Sequence, residues 1–480
     1  MARPLTKLAI AFRAAALILA LAPVLPAAAQ DSGLQQRVES RLREAVPGTR
    51  FGLVVATEDG SELVAIAPDA RFIPASNTKM FTTAAAFAAL PGLDRPDTGG
   101  GAAVRLETTG GPAPDVVLEG HGDARLSSAP DCAANCLAAL ADAVAARTRR
   151  VRNVIGDDSY FPDQRWSPGM SWNNIGTRSG TAISALSLDD NELPLRVAPT
   201  APGRPPALDL PLYFTVDNRA ATVAAGGATN LDFERLPGSN VLRLTGTIAM
   251  GAEPELLRLG IDDPAHYAAW RFKALLEARG VRVAGAVSAR HRAQVPAPPR
   301  EPLARLVPPP LGEDLIVINK VSQNLHAELL LRRLGRIEGA GSIADGVAIL
   351  RAMLERAGLR RADYDFSDGS GMSTYNRVAP RGVVRFLRWA AAQPWGAAWR
   401  ATLAVAGVDG TLARRFRGTV LESRLFAKTG GLNATAALSG YMIARSGRTL
   451  LFSIYANDIP DGASATSAMD AALVMIAEQN

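Results

Sequence analysis

Two short, mostly apolar stretches, Phe51 to Thr57 and Leu63 to Ile66, lie on either side of the polar Glu58-Asp59-Gly60. Such runs parted by Asp-Gly predict a β-hairpin. A second strand region lies near the C-terminus. Arg424-Leu425-Phe426-Ala427 reads as a strand, and Ala434 to Ala444 alternates up to Arg445-Ser446-Gly447-Arg448. Thr449 to Tyr455 then reads as the return strand of a hairpin. Helical patterns occupy other stretches. Met80 and Phe81 lead through two threonines into Ala84 to Leu90, the composition of a buried helix. Leu315 to Ile318 are apolar, and Leu325 and Leu329 to Leu331 continue after a short polar break, which predicts two helices with a tight connection. Ser464 to Glu478 reads as a C-terminal helix. Punctuation is densest over 94–114, rich in Gly and Pro, and over 296–310, dominated by Pro. A shorter Pro-bounded stretch, 199–206, reads as an internal junction. There is no evident internal repeat.

Composition adds that this is a folded chain: 48% of its residues are hydrophobic and 20% charged. Residues 1–29 form a leader, with Arg3, Lys7 and Arg13 before an uncharged run and Ala27-Ala28-Ala29 before Gln30. Its apolar run is too short for a membrane span, and this is the pattern of a cleaved signal peptide. Without the leader the net charge of +6 falls to +3. That balance does not support nucleic-acid binding. An exported, periplasmic protein without an integral membrane anchor is expected. Cys132 and Cys136 then meet an oxidising compartment. With Asp131 as cap and Leu137, Leu140 and Val144 as apolar face, they read as one helix turn, either bridged or as two free thiols.

The chemistry lies in the lysines. Of 52 basic residues only Lys7, Lys79, Lys273, Lys320 and Lys428 are lysine. Arginine stays charged at any relevant pH, whereas a lysine can be tuned to lose its proton. Lys79 follows Ser76 by three positions at a predicted helix start, so both share one face. Lys320 precedes Ser322 and Asn324, and Lys428 opens Lys428-Thr429-Gly430-Gly431. Taken singly, these are a capping serine, a helix cap and a strand-to-turn junction. Together and in this order, Ser-x-x-Lys, Ser-x-Asn and Lys-Thr-Gly form the motif set of penicillin-binding proteins and class A β-lactamases.

Further blocks sharpen that likeness. They are Ile318 to Leu325, Asp368-Gly369-Ser370-Gly371-Met372-Ser373 with Asn376 and Arg377, Ala406 to Leu412, and Ile183 to Leu188 followed by Asn191. With them the chain resembles the D-Ala-D-Ala carboxypeptidase/endopeptidases, the class C low-molecular-mass penicillin-binding proteins, over nearly all its length after the leader. The resemblance implies an α+β fold of the penicillin-binding/serine β-lactamase-like transpeptidase type, an antiparallel sheet flanked by helices with a large inserted accessory region. It implies Ser76 as nucleophile, Lys79 as its base and Ser322 as proton relay. Asn324, Lys428, Thr429, Gly430 and Gly431 would bind substrate, with the N–H groups of Ser76 and Gly431 as oxyanion hole. The substrate would be a peptidoglycan stem peptide, β-lactams would be covalent inhibitors, and neither cofactor nor metal is required. Gly431 stands where the family usually has threonine or serine, and Gln323 where aspartate is common.

Ser76 and Ser322 are 246 positions apart, far more than in compact relatives. An insertion over 95–300 is therefore expected, splitting the catalytic domain into 30–94 and 301–480. Burial and positive charge from Lys428 and the helix end are expected to depress the Lys79 pKa. His121, His266, His291 and His326 show no ligand spacing, and His326 is expected on a helix surface. A β-lactamase is the nearest rival, though it needs a deacylating base and no Glu-x-x-Leu-Asn motif is present. A non-hydrolytic wall-binding scaffold is the other.

Overall fold

The computed structural model describes residues 32–108, 110–291 and 301–480. The leader and residues 296–300 of the proline-rich stretch lie outside them. A six-stranded antiparallel sheet runs in the order Ala404–Val405, Leu425–Leu432, Thr435–Ile443, Thr449–Asn457, Arg50–Thr57, Glu62–Ile66. The two predicted hairpins are thus neighbours, joined where Arg50–Thr57 pairs with Thr449–Asn457.

Alternation explains why both faces are covered. Leu53 and Val55 point into one core with Leu438, Phe452 and Ile454. Val54 and Ala56 point into the other with Tyr441, Leu451 and Tyr455. The helices Ser32–Ala45 and Thr466–Glu478 close the first face. The helices Thr78–Ala89, Asn324–Gly335, Ile343–Arg356 and Pro380–Ala391 pack on the second. Period-two side chains leave a sheet no solvent face when helices lie on both sides.

A third core is built from residues between Ala102 and Leu306. It contains a mixed five-stranded sheet in the order Val287–Arg290, Val154–Asp157, Asp115–Glu119, Ala103–Glu107, Ala304–Arg305. The helices Leu137–Arg147 and Pro264–Ala278 pack against it. Three smaller sheets, of four, three and two strands, complete this region. A small cluster of Ala124, Phe161, Ile183 and Ala185 with Leu325 and Leu329 ties it to the helix Asn324–Gly335. Among the described residues no helix is long and apolar enough to cross a membrane.

Three local expectations are corrected. The stretch 199–206 is the loop of a hairpin joining Glu192–Ala198 to Ala207–Asp209, so its prolines mark a turn rather than a junction. Lys428 does not end its strand, because Leu425–Leu432 runs through the whole motif before turning at Asn433 and Ala434. Pairing with Thr435–Ile443 outweighs the weak strand propensity of two glycines. Cys132 and Cys136 are bridged, but not on a helix: the helix starts at Leu137 with Cys136 as its cap. Asn135 takes a positive φ of 60°, which bends the segment.

A bridge spanning four positions closes a very short loop, so it restricts the unfolded chain little. Replacing both cysteines by serine is expected to cost about 2 kcal/mol at most, read from urea unfolding.

Candidate active site

Ser76 lies in a single 3-10 turn, Ala75–Asn77, that runs directly into the helix Thr78–Ala89. Pro74 starts the turn, and its fixed φ suits that position. Ser76 is only partly buried, whereas Lys79, one turn later, is fully buried. The Lys79 amine lies 3.0 Å from Ser76 Oγ, and it donates to Asn324 Oδ1 and to the Ser370 carbonyl, both at 2.6 Å. Burial lowers its pKa to about 7, against the opposing pull of Asp368 and Glu328.

Two fixed carbonyl acceptors and one hydroxyl therefore surround this amine. Once neutral, it can donate a hydrogen to each carbonyl and has a lone pair left for the hydroxyl. The Ser76 hydroxyl, 3.0 Å away, is the partner left for that lone pair.

Lys428, equally buried, donates to Ser322 Oγ at 2.9 Å and to the Thr429 carbonyl at 3.0 Å. Burial, and then repulsion by Lys79, hold its pKa well below the ordinary lysine value. Ser322 joins the helices Leu311–Lys320 and Asn324–Gly335 and takes a left-handed φ of 69°. Asn324 opens the second helix, and its amide donates to the Ser179 carbonyl at 2.9 Å. Asn77 Nδ2 donates to the Lys428 carbonyl at 2.7 Å, pinning the turn to the strand. Gly430 permits that approach, since a Cβ there would come within 2.5 Å of the Pro74 carbonyl. The short strand Ala404–Val405 pairs only with Phe426 and Ala427, so the ladder on that side stops short of the motif. Thr429 reaches Thr411 at 2.8 Å. Gly431 is exposed, and the nearest atom to a Cβ there would be the Thr435 carbonyl at 4.0 Å, so packing does not require a glycine.

All eight candidate residues thus converge from three chain segments. The arrangement is a partly open row of hydroxyls and amide groups above two buried amines. The D-Ala-D-Ala carboxypeptidase 3 (S13) family matches residues 34–480. The chain belongs to that family. This S13 peptidase is 35% identical over 478 residues to a D-alanyl-D-alanine carboxypeptidase of Actinomadura sp., covering 94% of this chain and 87% of that protein. It is 24% identical to the D-alanyl-D-alanine carboxypeptidase DacB of Haemophilus influenzae, covering 88% of each. Among solved structures, penicillin binding protein 4 of Haemophilus influenzae superposes with a TM-score of 0.77 at 23% identity, over 92% of this chain and 97% of that one. A second structure of that protein, complexed with a β-lactam, superposes at 0.70. At that level of identity the likeness concerns the fold, which is the penicillin-binding α+β fold.

One expectation about the S13 site is extended and one is corrected. Besides burial, the carboxylates Asp368 and Glu328 act on Lys79 and favour its cation; Lys79 and Lys428 also repel each other, and Lys428 is held well below the ordinary lysine value. His326 does not face solvent. It is 5% exposed, with Nε2 2.9 Å from Asp190 and Nδ1 3.4 Å from Asp314. The helix Asn324–Gly335 is covered on nearly every side, so a ring at that position must find partners inside.

Glu328 escaped the sequence reading, and Asp368 figured there only as the first residue of a block, without a role. Glu328 Oε1 accepts from the backbone of Gly369 and Ser370, at 3.0 and 2.8 Å, and so aims the Ser370 carbonyl at Lys79. Asp368 accepts from the backbone of Gly371 and Ser373, at 2.9 and 2.6 Å; burial and then Glu328 raise its pKa to about 6. The available signal was spacing: Glu328 stands four positions after Asn324, on the same helix face.

Gly371 has a φ of +88°, and a Cβ there would overlap the Ala75 carbonyl beside Ser76. Gly371→Ala is therefore expected to destabilise the protein by more than about 1 kcal/mol and to displace the Ser76 turn. A thermal melt together with labelling of Ser76 checks both.

Proposed function

We propose that this chain is a penicillin-sensitive enzyme of peptidoglycan, exported to the periplasm, that cleaves the bond between two D-alanines through an acyl-enzyme on Ser76. The bond belongs either to a stem-peptide terminus, as in a carboxypeptidase, or to a cross-link, as in an endopeptidase. The observation that carries this reading is the Lys79 amine, buried, 3.0 Å from Ser76 Oγ, with its two other directions occupied by carbonyls.

An unaided serine hydroxyl is a poor nucleophile and needs a base in hydrogen-bond reach. Lys79 takes the Ser76 proton as Oγ bonds to the D-Ala carbonyl carbon. The N–H groups of Ser76 and Gly431 hold the developing oxyanion. Ser322 accepts a hydrogen bond from Lys428, so its own proton can pass to the leaving nitrogen while the proton that Lys79 took from Ser76 returns to Ser322, which acts as a relay. As that proton arrives the C–N bond breaks and the amine departs. Asn324 orients the substrate amide, and Lys428, Thr429 and Gly430 hold the terminal carboxylate along the strand. Water then adds to the ester and returns the Ser76 hydroxyl. β-Lactams offer the same amide with a leaving nitrogen that stays tethered, so they should remain on Ser76.

Intact mass with peptide mapping after brief exposure to benzylpenicillin is expected to show one acyl group, on Ser76. Rapid drug loss without an adduct would instead indicate a β-lactamase, and neither adduct nor drug loss a wall-binding scaffold. Lys79→Ala is expected to slow acylation by at least about a hundredfold, and normal acylation in that variant removes Lys79 as base.

The neutral amine is the working form. Acylation should therefore be slow at acidic pH, rise through about pH 7 and level off above, as read from stopped-flow rates across pH. A rate that falls over that window would contradict a lysine base.

A further inference from the structure

The block Ile183 to Leu188 with Asn191 ends in an unusual backbone. Asp189, Asp190 and Asn191 have φ of 50°, 58° and 50°, three consecutive residues other than glycine in the left-handed region. L side chains avoid that region, so a run of three persists only where the surroundings impose it. The surroundings here are specific. Asp189 accepts from Ser128 N at 2.8 Å and from Ser127 Oγ at 3.1 Å. Asn191, fully buried, accepts from Leu188 N and donates to the Ala182 carbonyl, both at 3.0 Å. With its neighbours so anchored, Asp190 is directed outward at the Ser-x-Asn motif. Its Oδ2 accepts from Gln323 Nε2 at 3.2 Å, and its Oδ1 lies 2.9 Å from His326 Nε2.

Gln323 sits between Ser322 and Asn324 and caps the helix Asn324–Gly335 through Leu325 N. On its far side His326 Nδ1 lies 3.4 Å from Asp314, itself 2.9 Å from Arg125. Burial works against a charge on His326, but Asp190 and Asp314 outweigh it and raise its pKa to about 9, so the ring is cationic at neutral pH. Ser322 also carries a left-handed φ, and its hydroxyl direction follows from how its neighbours are pinned. Gln323 can donate to Asp190; an aspartate there would set two carboxylates face to face.

We propose that Asp190 is a positioning residue for Ser322: through Gln323 and His326 it locks the turn that presents the Ser322 hydroxyl to the leaving nitrogen. This rests on the role proposed for Ser322 above. The left-handed turn thus couples the region between the first two motifs to proton delivery at the site.

The test measures benzylpenicillin acylation of Ser76 in the full chain, separating the acylation rate constant from non-covalent affinity. In Asp190→Ala the rate constant is expected to fall about 10- to 100-fold, as for a displaced catalytic group, with affinity altered less than about threefold. Asp190→Asn keeps an oxygen for Gln323 but no charge for His326, and should lie between. Gln323→Ala removes one arm only and should also slow acylation; these two variants carry the test if Asp190→Ala does not fold. Rate constants within twofold of wild type in the variants that fold, or a loss confined to affinity, overturn the proposal while leaving Ser76 as nucleophile. Failure of the wild-type chain to acylate overturns the proposed function, and the positioning role with it.

Discussion

A buried amine governs this structure. Lys79 is fully buried, and an ammonium group in a protein interior needs every N–H partnered or it gives up its proton. Its partners come from three places: Ser76 on its own turn, Asn324 at the head of another helix, and the Ser370 carbonyl on a loop. Each must be held to within tenths of an ångström, and much of the surrounding structure serves that end. Glu328 aims Ser370, Asp368 folds the loop, and Asn77 ties the serine turn to the strand that carries Lys428. The result is balanced: burial disfavours the cation, while two nearby carboxylates favour it. A lysine left between these influences titrates near neutrality, where an arginine would have stayed charged.

The second amine completes the arrangement. Lys428 is buried on the central sheet and reaches Ser322 rather than Ser76, so each hydroxyl has its own amine. The sheet makes this possible because the strand Leu425–Leu432 is flanked for only two residues by its short neighbour. Beyond them its backbone is available to an extended peptide, the geometry by which a sheet edge recognises a strand-like ligand.

The region between the first two motifs is part of the site, not only a neighbour of it. Ser179 accepts from Asn324, Pro168 and Gly169 accept from Ser373 and Thr374, and Asp190 meets Gln323 and His326. All of these contacts fall at the head of the motif helix or on the Asp368 loop. An ordinary appendage would touch the catalytic core through its linkers alone. Here the contacts lie within about four residues of Asn324 or Ser370, which meet Lys79.

Much was legible from residue order alone. The first hairpin followed from two apolar runs parted by Asp-Gly, the second from alternation, the helix after Ser76 from its apolar run, and the pairing of Ser76 with Lys79 from helical spacing. These are local rules, set within a few residues. The scarcity of lysine singled out Lys79 and Lys428 because the two cations differ chemically, whatever the fold. What the sequence could not supply was the environment of a side chain. The inward orientation of His326, the backbone bonds of Glu328 and the bridge at Cys132 in a bent loop all depend on segments distant in the chain. The Lys79 pKa likewise depends on burial and on Asp368 and Glu328, which only the folded chain brings close. Local spacing determined which groups could do the chemistry; tertiary packing decided their charge, because desolvation and Coulomb interactions act through space rather than along the chain.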